Sequence, residues 1–135
     1  MVKLIFCLRR LPHLDRTAFQ AYWRDVHGPL VAAHADALGL LRYEQSYTLD
    51  DSLALPLAKP RGSPAPFDGV AELWWEPQAT RSSAQREAAR HANAALLADE
   101  RRFIDLAASP LFLAESRVFV GNEALHAFVQ SRAPG

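Results

Sequence analysis

Four side chains in this 135-residue chain are of types and in settings suited to proton transfer: His27, Tyr43, Glu72 and Asp99. His27 lies in the stretch YWRDVHGPLV, one helical turn after Trp23 and directly before Gly28 and Pro29. An imidazole titrates near neutrality, so at the edge of an apolar face it suits general acid–base work. It equally suits a structural task, bonding a neighbouring carbonyl where the helix is disturbed. Positions 88, 92, 95, 99, 103 and 106 share one face of a later helical stretch, and Asp99 is the only charge among them. A carboxylate there needs a partner. It either pairs with His27 or a substrate hydroxyl, or caps a new short helix, ERRFIDL. Glu72 shares a strand face with Val70 and Trp74, and reads as a carboxylate inside a cavity or as one half of an ion pair with Arg9 or Arg42. Tyr43 and Tyr47 project to one side of their strand, for hydrogen bonding to a carbonyl oxygen or for ordinary packing. Cys7 reads as a small core residue, since no base stands beside it.

Other chemistries find no support. There is no Gly-rich phosphate loop, H-E-x-x-H, paired-cysteine site or nucleophile elbow, and the five histidines are scattered. No metal and no cofactor are therefore expected. Lys plus Arg equal Asp plus Glu at fifteen each, which favours neither nucleic acid nor an anionic membrane. The single cysteine suits a reducing compartment, and the opening MVKLIFCLRR reads as a strand rather than a leader, so a cytoplasmic location is expected.

The elements that must position these residues follow from periodicity. KLIFCLR is a strand, and Asp15 caps a helix over residues 16–38 that presents Phe19, Trp23, Val26, Leu30 and His34 on one face and stops at Gly39. Pro29 deprives the Asp25 carbonyl of its helical partner, so a kink is expected there. Residues 41–49 form a second strand. Residues 50–68 carry four prolines and read as a long irregular loop, a potential lid inserted between strands two and three. GVAELWWE is the third strand, residues 81–106 a second helix, LFLAESRVFV the fourth strand, and residues 122–135 a tail beyond a domain of residues 1–121. The order βαββαβ specifies an α+β fold, a ferredoxin-like sandwich with an antiparallel sheet and both helices on one face. Both side-chain sets of the central strands read as apolar, so the uncovered face predicts a homodimer.

The blocks MVKLIFCLRR, FQAYWRDVHGPLV, LRYEQ, FDGVAELWW and LADERRFIDL resemble the EthD family over residues 1–120. That resemblance implies ferredoxin-like units pairing into a dimeric α+β barrel. Relatives in the wider superfamily include muconolactone isomerases, polyketide cyclases and monooxygenases, and some fungal members are dehydratases of aromatic polyketides. Family members often carry a histidine two residues after the glutamine of the RYxQ strand; Tyr47 stands there instead.

The reading that follows is a small cofactor-independent enzyme, a lyase or isomerase of EthD type. It binds an apolar, carbonyl-bearing or aromatic compound among Tyr22, Trp23, Tyr43, Tyr47, Trp74 and Phe103. His27 moves a proton, Asp99 or Glu72 orients it, and Tyr43 holds a developing oxyanion. The alternative is a non-catalytic protein that binds such a compound as an accessory to a degradation pathway.

Overall fold

Alternating apolar residues make β1 (Val2–Leu8), whose Leu4, Phe6 and Leu8 point to one side and Lys3, Ile5 and Cys7 to the other. The computed structural model describes residues 2–75 and 81–121, so the tail and the last residue of the expected third strand lie outside it. β2 (Leu40–Tyr47), β3 (Gly69–Trp75) and β4 (Leu111–Ala114) complete an antiparallel sheet of order β2-β3-β1-β4, the ferredoxin-like order. β4 is shorter than its ten-residue pattern. Lys3 pairs with Ala114, and β1 has only Val2 left to offer, so the strand runs out of partner.

Asp15 caps α1 (Arg16–Tyr22), its side chain accepting from Ala18 N at 2.7 Å. The chain then makes a π-helical turn, Trp23–His27, before α2 (Gly28–Ala33) and α3 (Ala35–Leu38). Gly39, at φ 69°, closes the last helix as the sequence indicated. The π-turn replaces the expected proline kink. Pro29 falls in the first turn of α2, where a missing N–H is tolerated.

This turn also corrects the expected helix face. Val26 is 47% exposed, while the buried series runs Phe19, Trp23, His27, Val31. In a straight α-helix a strict four-residue spacing drifts by about 40° per step. A wider i→i+5 turn takes up one extra residue and undoes that drift. His27 is inward because of it.

The expected irregular loop is likewise corrected. It contains α4 (Asp51–Ala58) followed by a single 3₁₀ turn, Lys59–Arg61. Asp50 caps α4 by accepting from Ser52 N, and Arg16 holds Asp51 at 2.6 Å. Pro56 sits inside this exposed helix, where water can satisfy the carbonyl that the ring leaves unpaired. The last major helix, α5 (Ser83–Glu100), begins at a capping box of Ser82 and Gln85, and ends six residues earlier than its pattern. Asp99 therefore lies within α5 and caps no new helix.

The helices cover one sheet face. Phe6, Leu8, Phe19, Trp23, Ala71, Phe103 and Ile104 form the core between the layers. Two residues at the start of β3, the buried Asp68 just before it and Gly69 at its first position, make this packing possible. A Cβ on Gly69 would lie 2.3 Å from the Trp23 ring, so only glycine lets that indole seat against the strand. Buried Asp68 accepts from Arg10 N at 2.8 Å and pairs with the Arg10 and Arg16 guanidiniums, tying β3 to the β1–α1 connection. Burial raises its pKa, but these hydrogen bonds outweigh burial and hold it below the usual carboxylate value.

The open face is mixed rather than uniformly apolar, which corrects the sequence reading. Lys3 pairs with Glu72 at 2.9 Å and Arg42 with Glu44 at 2.9 Å; Lys3 and Arg42 both lie over the Trp74 ring.

Candidate active site

His27 leaves the π-turn with its ring buried, 5.0 Å from the fully buried Phe103 ring. Its Nδ1 is 2.8 Å from Asp99 Oδ2 on α5, and Asp99 Oδ1 accepts from the Tyr22 hydroxyl at 2.5 Å. Burial pushes the Asp99 carboxyl up, but Tyr22 and His27 outweigh it and keep its pKa below the ordinary value. An ionised Asp99 is an acceptor only, so Nδ1 carries the proton and Nε2 the lone pair. Burial likewise lowers the His27 pKa, against the opposing pull of Asp99, so the ring is neutral at pH 7. The result is an oriented imidazole with a basic Nε2.

No buried side-chain nitrogen or oxygen among the described residues lacks a partner, and Nε2 makes no hydrogen bond to them, so it is not sealed in. His27 lines a cavity of about 350 Å³ between the sheet and the helices. Its walls are chiefly apolar, from Leu4, Phe6, Leu73 and Trp75 on the sheet to Trp23, Val31 and Leu96 on the helices. The polar lining is sparse: His27, Tyr43, Arg81, Asn93 and Glu100. Ligand pockets commonly have this balance, with a few polar groups fixing orientation.

Tyr43 reaches the same cavity from β2, where it pairs with Leu73 of β3. Its hydroxyl oxygen accepts from Gln45 Nε2 at 2.8 Å, leaving its own proton to donate. Burial pushes its pKa up to about 12, so it remains a hydrogen-bond donor throughout the neutral range. Gln45 was not singled out by its type, yet it organises this corner. Its Nε2 also bonds the Trp23 carbonyl at 3.0 Å, and its Oε1 accepts from Tyr47. That Trp23 carbonyl is the one that receives the Gly28 N–H in the π-turn. A Cβ on Gly28 would stand 3.1 Å from Gln45 Nε2, which accounts for the glycine beside His27.

The fold thus brings His27, Asp99, Tyr22, Phe103, Trp23 and Tyr43 into one cluster. Tyr47 sits at its rim, edge-on to Trp23 with ring centroids 5.2 Å apart. Glu72 and Trp74 are on the other side of the sheet, and Glu72 pairs with Lys3 rather than with an arginine. His27 and Glu72 do not share a site within one chain. Among the described residues no group of three or more His, Cys, Asp or Glu is arranged to hold a metal ion.

Glu100 is the group that sequence reasoning passed over. It stands on α5 in the stripe Ala89, Asn93, Leu96, Glu100 that faces the cavity, one residue beyond Asp99. Burial, then the Asp99 charge, raise its pKa to about 7. An acid whose folded pKa lies above its unfolded value of 4.5 stabilises the fold below that value, and the contribution is lost as pH rises through 7. Glu100→Gln should therefore gain about 1 kcal/mol above pH 7, allowing for solvent screening at the cavity, and nothing below pH 4.5. Urea denaturation at the two pH values checks the difference.

The class is set by the fold, an α+β sandwich of ferredoxin-like order with a cavity between its layers that His27 lines. Within it the chain belongs to the EthD family, whose domain model matches residues 11–107. It is similar in structure to an ethyl tert-butyl ether D (EthD) family protein from Bacillus halodurans C-125, with a TM-score of 0.56 and 20% identity over 87% of this chain and 99% of that one. An EthD-like protein from Ralstonia eutropha JMP134 gives a TM-score of 0.52 and 18% identity, over 88% and 94% of the two chains. HapK from Hahella chejuensis gives 0.50 and 14%, over 90% and 97%. At these identities the likeness is one of fold. No curated protein matches the sequence. No described helix is long and apolar enough to cross a membrane.

Proposed function

We propose that this protein binds an apolar, carbonyl-bearing or aromatic small molecule in the cavity between sheet and helices and moves a proton on it. The observation that carries the reading is the 2.8 Å contact between His27 Nδ1 and Asp99, which leaves a basic Nε2 on an apolar cavity. Nε2 takes a proton from the carbon next to the carbonyl. The electron pair of the broken C–H bond forms a carbon–carbon double bond, and the carbonyl pair moves onto oxygen. The Tyr43 O–H stabilises that enolate oxygen by a hydrogen bond. Phe103 and Trp23 keep the imidazole in place and dry, and Asp99 stabilises the imidazolium as it forms. Enolisation of this kind underlies isomerisation, cyclisation and dehydration alike.

Incubation with cyclohex-3-en-1-one in D₂O, followed by NMR, tests this. The protein should exchange the proton between the carbonyl and the alkene faster than buffer, and His27→Gln should slow exchange by about 10² or more. A Gln variant that exchanges as fast as wild type would remove His27 from the chemistry.

The apolar residues that remain on the open sheet face support a second proposal, a homodimer in which a second copy covers Ile5, Cys7, Trp74 and Phe112. Phe112 is 48% exposed in the single chain and Ile5 pairs beside it. Sedimentation equilibrium at micromolar concentration should give twice the chain mass; a folded monomer there would overturn it.

A further inference from the structure

Resting on that proton-transfer reading, we infer that Glu100 is a second, separate proton-transfer group of the same cavity, and that the substrate is a β,γ-unsaturated carbonyl compound whose double bond is moved into conjugation. Three observations carry this. Glu100 and His27 line one cavity but come from different elements, the end of α5 and the π-turn. Glu100 is half-buried, yet among the described residues its carboxyl makes no hydrogen bond or ion pair. Buried carboxyl groups ordinarily find such partners. His27 is already committed through Nδ1 to Asp99, so the cavity holds one fixed base and one carboxyl with no structural task.

The surroundings of Glu100 suit an acid. Asp99 and Arg101 flank it on its own element, Tyr43 faces the cavity from β2, His27 from the π-turn, and Arg81 from the residues before α5. Arg81 is engaged with the Leu38 carbonyl at 3.2 Å. Burial and the neighbouring Asp99 charge keep a substantial share of Glu100 protonated at neutral pH. An acid–base pair needs such a division of protonation states.

The step balances without any further reactant. His27 Nε2 removes the α-proton, and the pair left behind forms a dienolate whose oxygen is held by Tyr43. The oxygen pair then re-forms the carbonyl, the pair between the carbonyl carbon and the α-carbon shifts to lie between the α- and β-carbons as the new conjugated double bond, and the β–γ pair takes the proton of Glu100 at the γ-carbon. Glu100 is left as carboxylate and His27 as imidazolium; once the product has left, His27 gives its proton to solvent and Glu100 takes one from it. A single base restores a proton most readily to the carbon it came from. A second group placed elsewhere on the cavity wall lets the proton return at another atom.

The same cyclohexenone in D₂O separates the two claims, because exchange at the α-carbon needs His27 while formation of the conjugated ketone needs both groups. Glu100→Gln should cut conjugated-ketone formation by 10²-fold or more and α-exchange by less than tenfold, with circular dichroism confirming the fold. In wild type, ketone formation should decline as pH rises above neutrality, and in Glu100→Gln that decline should vanish. Glu100→Asp, which keeps an acid on a shorter stem, should recover at least tenfold of the lost rate. A Gln variant that conjugates the ketone at the wild-type rate overturns the role of Glu100 and leaves His27 standing. A wild-type protein that exchanges no α-deuterium overturns the proton-transfer reading and this inference with it.

Discussion

Asp99→Asn should lower the rate of α-proton exchange by about 10²–10⁴ while leaving the fold intact. The carboxylate accepts from both Tyr22 and His27 Nδ1, and it fixes the tautomer with the lone pair on Nε2. An asparagine in the same place can turn its amide nitrogen toward Nδ1. The imidazole proton then moves to Nε2, and the base facing the cavity is lost. The imidazolium formed during the reaction also loses its counter-charge. ¹⁵N chemical shifts of the His27 ring report the tautomer directly, so the cause can be read alongside the rate. An Asn variant with wild-type exchange and an unchanged tautomer would show that Asp99 only packs.

The largest effect on stability is expected at Gly69. A Cβ there would lie 2.3 and 2.8 Å from two atoms of the Trp23 ring and 2.8 Å from the Ser46 carbonyl. The indole is 1% exposed and packed by Phe19, so it has nowhere to retreat. Gly69→Ala should cost about 3 kcal/mol and lower Tm by about 10 °C in thermal denaturation followed by circular dichroism. Gly62→Ala is the control, since nothing lies within 4 Å of its Cβ and only its φ of 59° is strained. It should cost about 1 kcal/mol. Trp23→Phe in the Gly69→Ala background should recover part of the loss, because the smaller ring vacates the clash while the Ser46 contact remains. Equal Tm values for the Gly69 and Gly62 variants would contradict the packing described.

Strand alternation and helical spacing were enough to order the elements of this chain and to give the sheet its antiparallel form. Asp99 was legible because a lone charge on an apolar face demands a partner. The partner itself, out of two helices, was not decidable from spacing. Glu72 shows the converse. Its strand position was read correctly, but which face looks toward the helices depends on the neighbours of all four strands, and those put it with Lys3. Gln45 and Glu100 were missed because polar residues on a half-exposed strand and at a helix end have no periodic signature. The proline-rich segment misled for a related reason: the pattern counts prolines, while the chain accommodates Pro56 on a helix bathed by water.

The π-turn between Trp23 and His27 has a genetic corollary. One residue more than an α-helical turn requires has been accommodated there, and everything downstream is read in a shifted frame. Remove one residue from that turn and the same helix closes with regular pitch, still amphipathic and still able to cover the sheet, but with His27 carried away from Asp99. The site is thus gained or lost by a change in length and not only by exchange of one side chain for another. Two chains differing by a single codon there can share a scaffold and differ in whether they own a base. In comparing members of such a fold, the count of residues between the tryptophan and the histidine carries information that their identities alone do not.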